Sequence, residues 1–264
     1  YEAKKQQYIN VLSLTLAKHN IPLSCIMGVD ETNTQFVPTV KCTRCRKGTK
    51  RVRVIGIGHE KPQITVTFGA NAEGELIEPV QLIFGGSTKV CHPGKGKQGA
   101  PEGQYFAHTK SHWQDESTFI DYILEAIIPF KDRMIVKERL LADQKVCFIL
   151  DLHWLHKTLR VLNLLKDNNI VPVFIPAGCT DLHQVCDLVM NKPFKNAVVN
   201  AFITHVAGKY KKFVDDGEVG GVFRLNMALS DMKPQIPIFV AAGVAALKTD
   251  QMKEQLRKVS QMVG

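Results

Sequence analysis

No run of about 18 apolar residues occurs in the chain, so no helix is expected to span a bilayer and no membrane partner is expected. The opening residues, Tyr1 to Tyr8, lack the apolar stretch of a secretory signal. An initiator methionine is missing as well, and we expect a fragment with further domains upstream. Nor is there a disulfide framework: the seven cysteines are an odd number scattered among apolar stretches, a pattern that suits a reducing compartment. Charge is sparse, at 22% of 264 residues against 45% hydrophobic ones, which argues against disorder and for a sizeable core. One domain of about 200 residues with a helical tail, or two small domains, would fit this length. What charge there is leans one way. The balance of 34 basic to 25 acidic residues leaves a net charge of +9, which favours a polyanionic partner and equally suits a merely basic soluble protein.

Residues 5–19 read as a lead-in helix, and Ser24 to Val29 as a buried strand that stops at Asp30-Glu31-Thr32. Strand candidates follow at Arg51–Ile57 and Gln63–Phe68, where Val52, Val54, Ile64, Val66 and Phe68 alternate with other residues. After a turn at Asn71–Glu75 comes the apolar run Val80–Phe84, completing an antiparallel meander. Residues 91–112 hold four glycines and two prolines and show neither period, which predicts a loop. Phe119, Tyr122, Ile123, Ala126 and Ile127 then share one face of an amphipathic helix that Asp115 or Ser117 can cap.

Lys145 to Asp151 is a second buried strand that ends on an aspartate. Leu155, Leu159, Leu162 and Lys166 mark a helix, and Ile170 to Ile175 a strand closed by Pro176. Strand, helix, strand at this spacing implies a parallel pair with a right-handed crossover. From His183 to about His205 the pattern is helical, with Pro193 as a break or first-turn residue, and a glycine-rich turn falls at 217–221. The order of elements is that of a ribonuclease-H-like α/β fold, a mixed five-stranded sheet flanked by helices. Its expected divisions are a lead-in helix at 1–24, a core at 25–207 and a C-terminal helical appendage at 208–264.

Parallel strands in such a sheet present their carboxyl ends to one crevice. Asp30 closes the first strand and Asp151 the fourth, while the helix, strand and loop after Asp151 bring Asp187 back toward that edge. Any one of these aspartates is more often a helix cap or a turn residue. Three in the order the fold demands point to a site for a hard cation. Magnesium prefers oxygen ligands and keeps several waters, and two such ions suit in-line phosphoryl displacement. Without metal, three close carboxylates repel and their pKa values rise.

Several blocks share the features of one family. Val29-Asp30-Glu31-Thr32, Lys47-Gly48-Thr49-Lys50 with Val52 and Val54, and Ile64 to Phe84 with its central Gly74 form the first. Trp113 and Phe119 open a core helix; Leu150-Asp151 is followed by His153 and His156; Pro176 to Lys195 contains Gln184, Asp187 and a closing Asn-Lys-Pro-Phe-Lys. Together these blocks resemble the DDE superfamily of transposases, in its pogo, tigger and jerky branch related to mariner elements. Leu152 and Val185 stand where that pattern has asparagine and proline. The resemblance, over residues 25–210, implies that Asp30, Asp151 and Asp187 are the catalytic and metal-binding triad. It also implies Mg²⁺, with Mn²⁺ as a substitute and two ions in the site, and cleavage of DNA strands followed by strand transfer. Upstream helix-turn-helix domains, a homodimer and a nuclear location belong to the same expectation.

Glu31, His153, His156 and Gln184 lie near the three aspartates and are candidates for orienting them, a capping or core role being as common for such histidines. Lys41, Arg44, Arg46, Lys47, Lys50, Arg51 and Arg53 form a basic stretch without acids, a candidate phosphate-binding surface or a solvated hairpin. Within it, Cys42 and Cys45 make a CxxC whose only partner pair, Cys91-His92, is adjacent and suits tetrahedral zinc poorly. Cys179, His183 and Cys186 read as packing residues and a polar neighbour of the site. Two other functions remain open: a domesticated nuclear DNA-binding protein without transposition, and a ribonuclease on the same fold.

Overall fold

A computed structural model of the chain describes residues 2–35, 37, 63–93, 100–179, 186–216, 223, 225 and 228–263. Helix α1 (Glu2–His19) leads into β1 (Ile26–Gln35), which pairs antiparallel with β2 (Gln63–Asn71). Strand β3 (Leu76–Gly85) returns antiparallel to β2, and β4 (Gln104–Thr109) lies parallel on its outer edge. Two further strands, β5 (Val146–Asp151) and β6 (Ile170–Ile175), add in parallel on the other side of β1. The order is β4-β3-β2-β1-β5-β6. Without β4, a central strand flanked by a meander on one side and two parallel strands on the other is the ribonuclease-H-like arrangement.

Six strands replace the expected five, because β4 forms where residues 91–112 predict a loop. The reason is local. Gln104-Tyr105-Phe106-Ala107-His108-Thr109 is an edge strand whose buried positions, Gln104 on one face and Ala107 and Thr109 on the other, are polar or small, so no apolar alternation marks it. Gln104 is held by its side-chain amide, which donates to the Pro237 carbonyl at 3.0 Å. The strand candidate at 51–57 and the glycine-rich turn at 217–221 lie outside the described residues.

Helix α2 (Glu116–Tyr122) is capped by Asp115, whose carboxylate accepts from the Thr118 N–H while Thr118 Oγ1 accepts from the Asp115 N–H. It passes through a π-helical turn, Ile123–Ile127, into α3 (Ile128–Lys137). A second π-helical turn, Cys186–Met190, precedes the long helix α5 (Asn191–Asp215), which follows α4 (Leu159–Asp167) in the chain. Both wide turns stand just before a proline in the first turn of the next helix, Pro129 and Pro193. Proline lacks an N–H and crowds the carbonyl four residues back, so a local i→i+5 turn relieves both problems. The second of these turns carries Asp187.

Two cores cover the sheet. In the first, Tyr8, Leu12, Phe119, Tyr122, Ile127, Phe130 and Leu165 from α1 to α4 pack with Met27, Val29, Phe148 and Ile175. In the second, Ile64, Val66, Phe68, Leu82 and Phe84 of β2 and β3 lie under α5, α6 (Ile236–Leu247) and α7 (Asp250–Val263). The chain passes residue 208 inside α5, a single helix of 25 residues, and the helices beyond it rest on the same strands. Helix α5 carries the N-terminal residues that face the site, so its seat matters. Gly243 on α6 allows that seat: a Cβ there would lie 2.6 Å from the ring of Phe194, which is fully buried. Gly243→Val overpacks this contact and is expected to lower the melting temperature by about 4 °C, from a cost of about 1–3 kcal/mol. Thermal unfolding followed by circular dichroism checks this; an unchanged midpoint would show that the helices part freely.

Candidate functional site

The parallel ladder between β1 and β5 runs only from Ile26 opposite Cys147 to Gly28 opposite Ile149. Beyond it the strands fork, β1 continuing with β2 to Gln35 and β5 staying with β6 to Asp151. Asp30 and Asp151 each stand two residues past the last pair, at equivalent places on the two arms. The approach of the chains is close here. A Cβ at Gly69, across from Val29, would meet the Gly28 carbonyl oxygen at 2.3 Å.

Side chains alternate along β1, so Asp30, Thr32 and Thr34 face the α5 side, opposite Phe68, Val66 and Ile64, and Glu31 faces the other. On the α5 side Asp30 meets Asp187. The Asn191 side-chain amide joins them, donating to Asp30 Oδ2 at 3.1 Å and to Asp187 Oδ1 at 2.7 Å. Burial raises the Asp30 pKa, the negative charges of Asp187 and Glu31 raise it further, and the Asn191 amide opposes them; the carboxyl is pushed up to about 8. Among the described residues no lysine, arginine or histidine forms an ion pair with Asp30 or Asp187.

On the other side the chemistry is reversed. His156, only 3% exposed, donates from Nδ1 to Asp151 Oδ1 at 2.8 Å, and its Nε2 stands 3.8 Å from Glu31 Oε1. Burial works against the imidazolium, but Asp151 and Glu31 outweigh it and hold His156 up at about 9. Burial likewise tends to raise Asp151, yet the hydrogen bond and charge of His156 leave it below its ordinary value. The backbone N–H of His153 adds a bond to Asp151 Oδ1 at 3.3 Å, and the ring of Phe119 lies 4.4 Å from that of His156.

Of the residues singled out in the sequence, the structure brings Asp30 and Asp187 together and joins Asp151, His156 and Glu31 in a second group across β1. The rise expected for all three aspartates is found at Asp30, while Asp151 moves the opposite way because it has a cation of its own. His153 acts through its backbone and is exposed. Cys179 and Cys186 are buried packing residues, and Cys91 is a free thiol. Gln184, His183, Cys42, Cys45 and the basic residues from Lys41 to Arg53 lie outside the described residues. Asn191 stands in the sequence reading only as the asparagine of the closing Asn-Lys-Pro-Phe-Lys block, with no role at the site. Its signal is the spacing: four residues after Asp187 on a helical stretch, it is one turn away on the same face.

The donor set suits a hard divalent cation. Two carboxylates that form no ion pair with a basic side chain among the described residues present oxygen donors of the kind magnesium prefers, and magnesium commonly takes only one or two carboxylates. Among the described residues no three acidic, imidazole or thiol side chains stand close enough to hold one ion together, since Asp151 turns to His156.

Residues 61–218 match the family model described as DDE superfamily endonuclease. The human pogo transposable element with KRAB domain is 29% identical over 189 residues, which are 72% of this chain and 29% of that protein. The human pogo transposable element with ZNF domain is 23% identical over 191 residues, 72% of this chain and 12% of that one. The chain therefore spans under a third of the length of these curated relatives. Among solved structures, it is similar to the Mos1 mariner paired end complex with Mn at 14% identity and a TM-score of 0.45, covering 100% of this chain and 63% of the other.

The carboxylate pair makes stability depend on pH. Folded, Asp30 keeps its proton up to about pH 8; unfolded, it loses it near pH ~4. The unfolded chain is thus the more ionised state between these values, and stability falls as pH rises across them. Asp30→Asn removes that loss. Without metal, the variant is expected to melt at least about 3 °C above the parent at pH 8 and to converge with it near pH 4. Equal midpoints at pH 8 would mean that Asp30 is not destabilised by its neighbours.

Proposed function

Since the chain belongs to the DDE superfamily endonucleases, we propose that it is the catalytic domain of a DNA transposase, which cuts DNA strands and joins the new 3′-hydroxyl to a target. The observation that carries this reading is the Asp30–Asp187 pair, clamped by Asn191 at the fork of β1 and β5 with no cation of the protein beside it. Mg²⁺, or Mn²⁺ in its place, would be held by Asp30, Asp187 and Asp151. Bound there, such metal would supply positive charge to an attacking and a leaving oxygen at phosphorus.

The chain's own residues do the positioning. Asn191 fixes the separation of Asp30 and Asp187, so the pair is ready before DNA arrives. His156 holds Asp151 by its Nδ1–H and must release one carboxylate oxygen for Asp151 to join them. Glu31 stands behind His156 and keeps it charged, which makes it a positioning residue as well. Lys41, Arg44, Arg46, Lys47, Lys50, Arg51 and Arg53 supply phosphate contacts on this reading. A nuclear location, helix-turn-helix domains upstream and a dimeric assembly belong to the same proposal.

The ion pair of Asp151 with His156 favours a second reading, a domesticated nuclear protein that binds DNA without transposing it. Nicking of supercoiled DNA in Mg²⁺ or Mn²⁺ separates the two. Asp30→Asn, Asp151→Asn and Asp187→Asn are each expected to reduce the rate about a thousandfold, the scale of losing several kcal/mol of metal-derived stabilisation. His156→Ala is expected to cost between about tenfold and a hundredfold. Nicking that survives all three aspartate changes would contradict the proposal, and DNA binding without nicking by the parent would select the second reading.

A further inference from the structure

His92 follows the short 3₁₀ turn Lys89–Cys91, and its ring packs against the last residues of β3 and β4. Its centre lies 6.0 Å from that of Phe84, 5.7 Å from Phe106 and 5.2 Å from His108. His108 stands opposite Phe84 in the parallel ladder of these two strands. One ring nitrogen of His92 is hydrogen-bonded to the backbone of Ala107, while Nε2 is buried and has no partner. Burial first, then the neighbouring His108, Lys89 and Lys233, lower the His92 pKa against that backbone bond. The ring is thus a neutral imidazole whose lone pair sits on a closed-off Nε2.

These are the marks of a metal ligand. A ligating imidazole commonly gives its other ring N–H to a backbone carbonyl, which fixes the tautomer and aims the free nitrogen. Two imidazoles bound at about 2.1 Å to one tetrahedral zinc have ring centres about 5 Å apart. The spacing of His92 and His108 is 5.2 Å. Such a space is too tight for water, which needs about 2.9 Å from a nitrogen. Closed to water and unpartnered, the Nε2 lone pair costs stability unless a smaller ligand satisfies it.

The sequence holds a complementary half. Cys42-Thr43-Arg44-Cys45 has zinc-ligand spacing, and sequence alone offers it only the adjacent pair Cys91-His92. The fold replaces Cys91 in that pair with His108, which is distant in sequence and beside the His92 ring. Strand β1 ends at Gln35, and Val37 packs on the same core as Phe84, Phe106 and Cys91. Cys42 follows Val37 by five residues, a reach of up to about 17 Å. Charge agrees with this pairing: Lys89 and Lys233 near His92 repel a bare dication, whereas zinc with two thiolates carries no net charge. Among the described residues no third acidic, imidazole or thiol side chain closes the set.

We propose that His92 and His108 are the imidazole half of a structural zinc site, closed by the thiolates of Cys42 and Cys45. Binding forms two Zn–N and two Zn–S bonds and releases the two thiol protons to solvent, with no change of oxidation state. The site is separate from the Asp30–Asp187 pair and does not depend on the reading of that pair.

The test is metal analysis of the whole chain after loading with Zn²⁺ and dialysis against metal-free buffer. The parent is expected to retain about one zinc per chain. His92→Gln, His108→Gln and the double change Cys42→Ser, Cys45→Ser are each expected to bind zinc at least about a hundredfold more weakly in competition with a chromophoric chelator. Co²⁺ in place of zinc is expected to give the visible absorption of a tetrahedral, thiolate-bound ion in the parent and to lose it in these variants. EDTA is expected to lower the melting midpoint of the parent and to leave that of His108→Gln unmoved. Because His108 lies partly exposed on an edge strand, its variant carries the test even if His92→Gln unfolds. A parent that retains no zinc, or zinc held with unchanged affinity by the folded histidine variants, would overturn the site. Zinc lost from Asp30→Asn but kept by the histidine variants would assign the ion to the carboxylate pair, and overturns it equally.

Discussion

Asp30 and Asp187 would carry like charge in a partly desolvated setting if both ionised, and the one group of the chain that bridges them is a side-chain amide. Asn191 donates one hydrogen bond to each carboxylate, at 3.1 and 2.7 Å, and no basic side chain among the described residues pairs with either. An amide can orient two carboxylates but cannot neutralise them, so Asp30 retains a proton to about pH 8. Much of the architecture serves this arrangement. The fork of β1 and β5 exposes Asp30, the π-helical turn before α5 brings Asp187 and Asn191 to it, and the packing of Phe194 against Gly243 seats the helix that carries the amide.

Alternation along β1 divides the acidic residues between two environments. Asp30 faces the carboxylate pair, while its neighbour Glu31 faces His156 and, through it, Asp151. One group lacks positive charge and the other contains it. The consequence is a site in two parts, with Asp151 reserved by an imidazolium until a stronger claim is made on its oxygens. On the proposed function, a divalent cation together with a DNA phosphate would be such a claim and would bring the three aspartates into one reaction despite their separation across the strand.

Much of the sheet was legible because burial leaves a pattern. Lys145 to Asp151 and Ile170 to Ile175 are short apolar runs with stops at both ends, and the structure has strands at 146–151 and 170–175. The face Phe119, Tyr122, Ile123, Ala126 and Ile127 is wholly buried, and Asp115 is its cap. Strand β4 was hidden because an edge strand with polar or small buried residues shows neither run nor alternation. At the site, the aspartates were visible as acids at strand ends, which burial alone would not place there. Asn191 was visible only as a block residue four positions after Asp187, and its clamping role was out of reach, because an amide on an amphipathic helix is unremarkable until its two acceptors are located in space. The engagement of Asp151 by His156 was equally out of reach: the two are five residues apart, and only the 3₁₀ turn Trp154–Lys157 folds the imidazole back onto the carboxylate.

The central claim is that the Asp30–Asp187 pair is the nucleus of a divalent-metal centre, and anomalous diffraction from crystals soaked in Mn²⁺ tests it most directly. The account predicts an anomalous peak bridging the Asp30 and Asp187 carboxylates, accompanied by rotation of Asp151 away from His156 when a DNA end is also present. Crystals that bind Mn²⁺ elsewhere while this pair stays bare, with Asn191 still joining two undisturbed carboxylates, would contradict it.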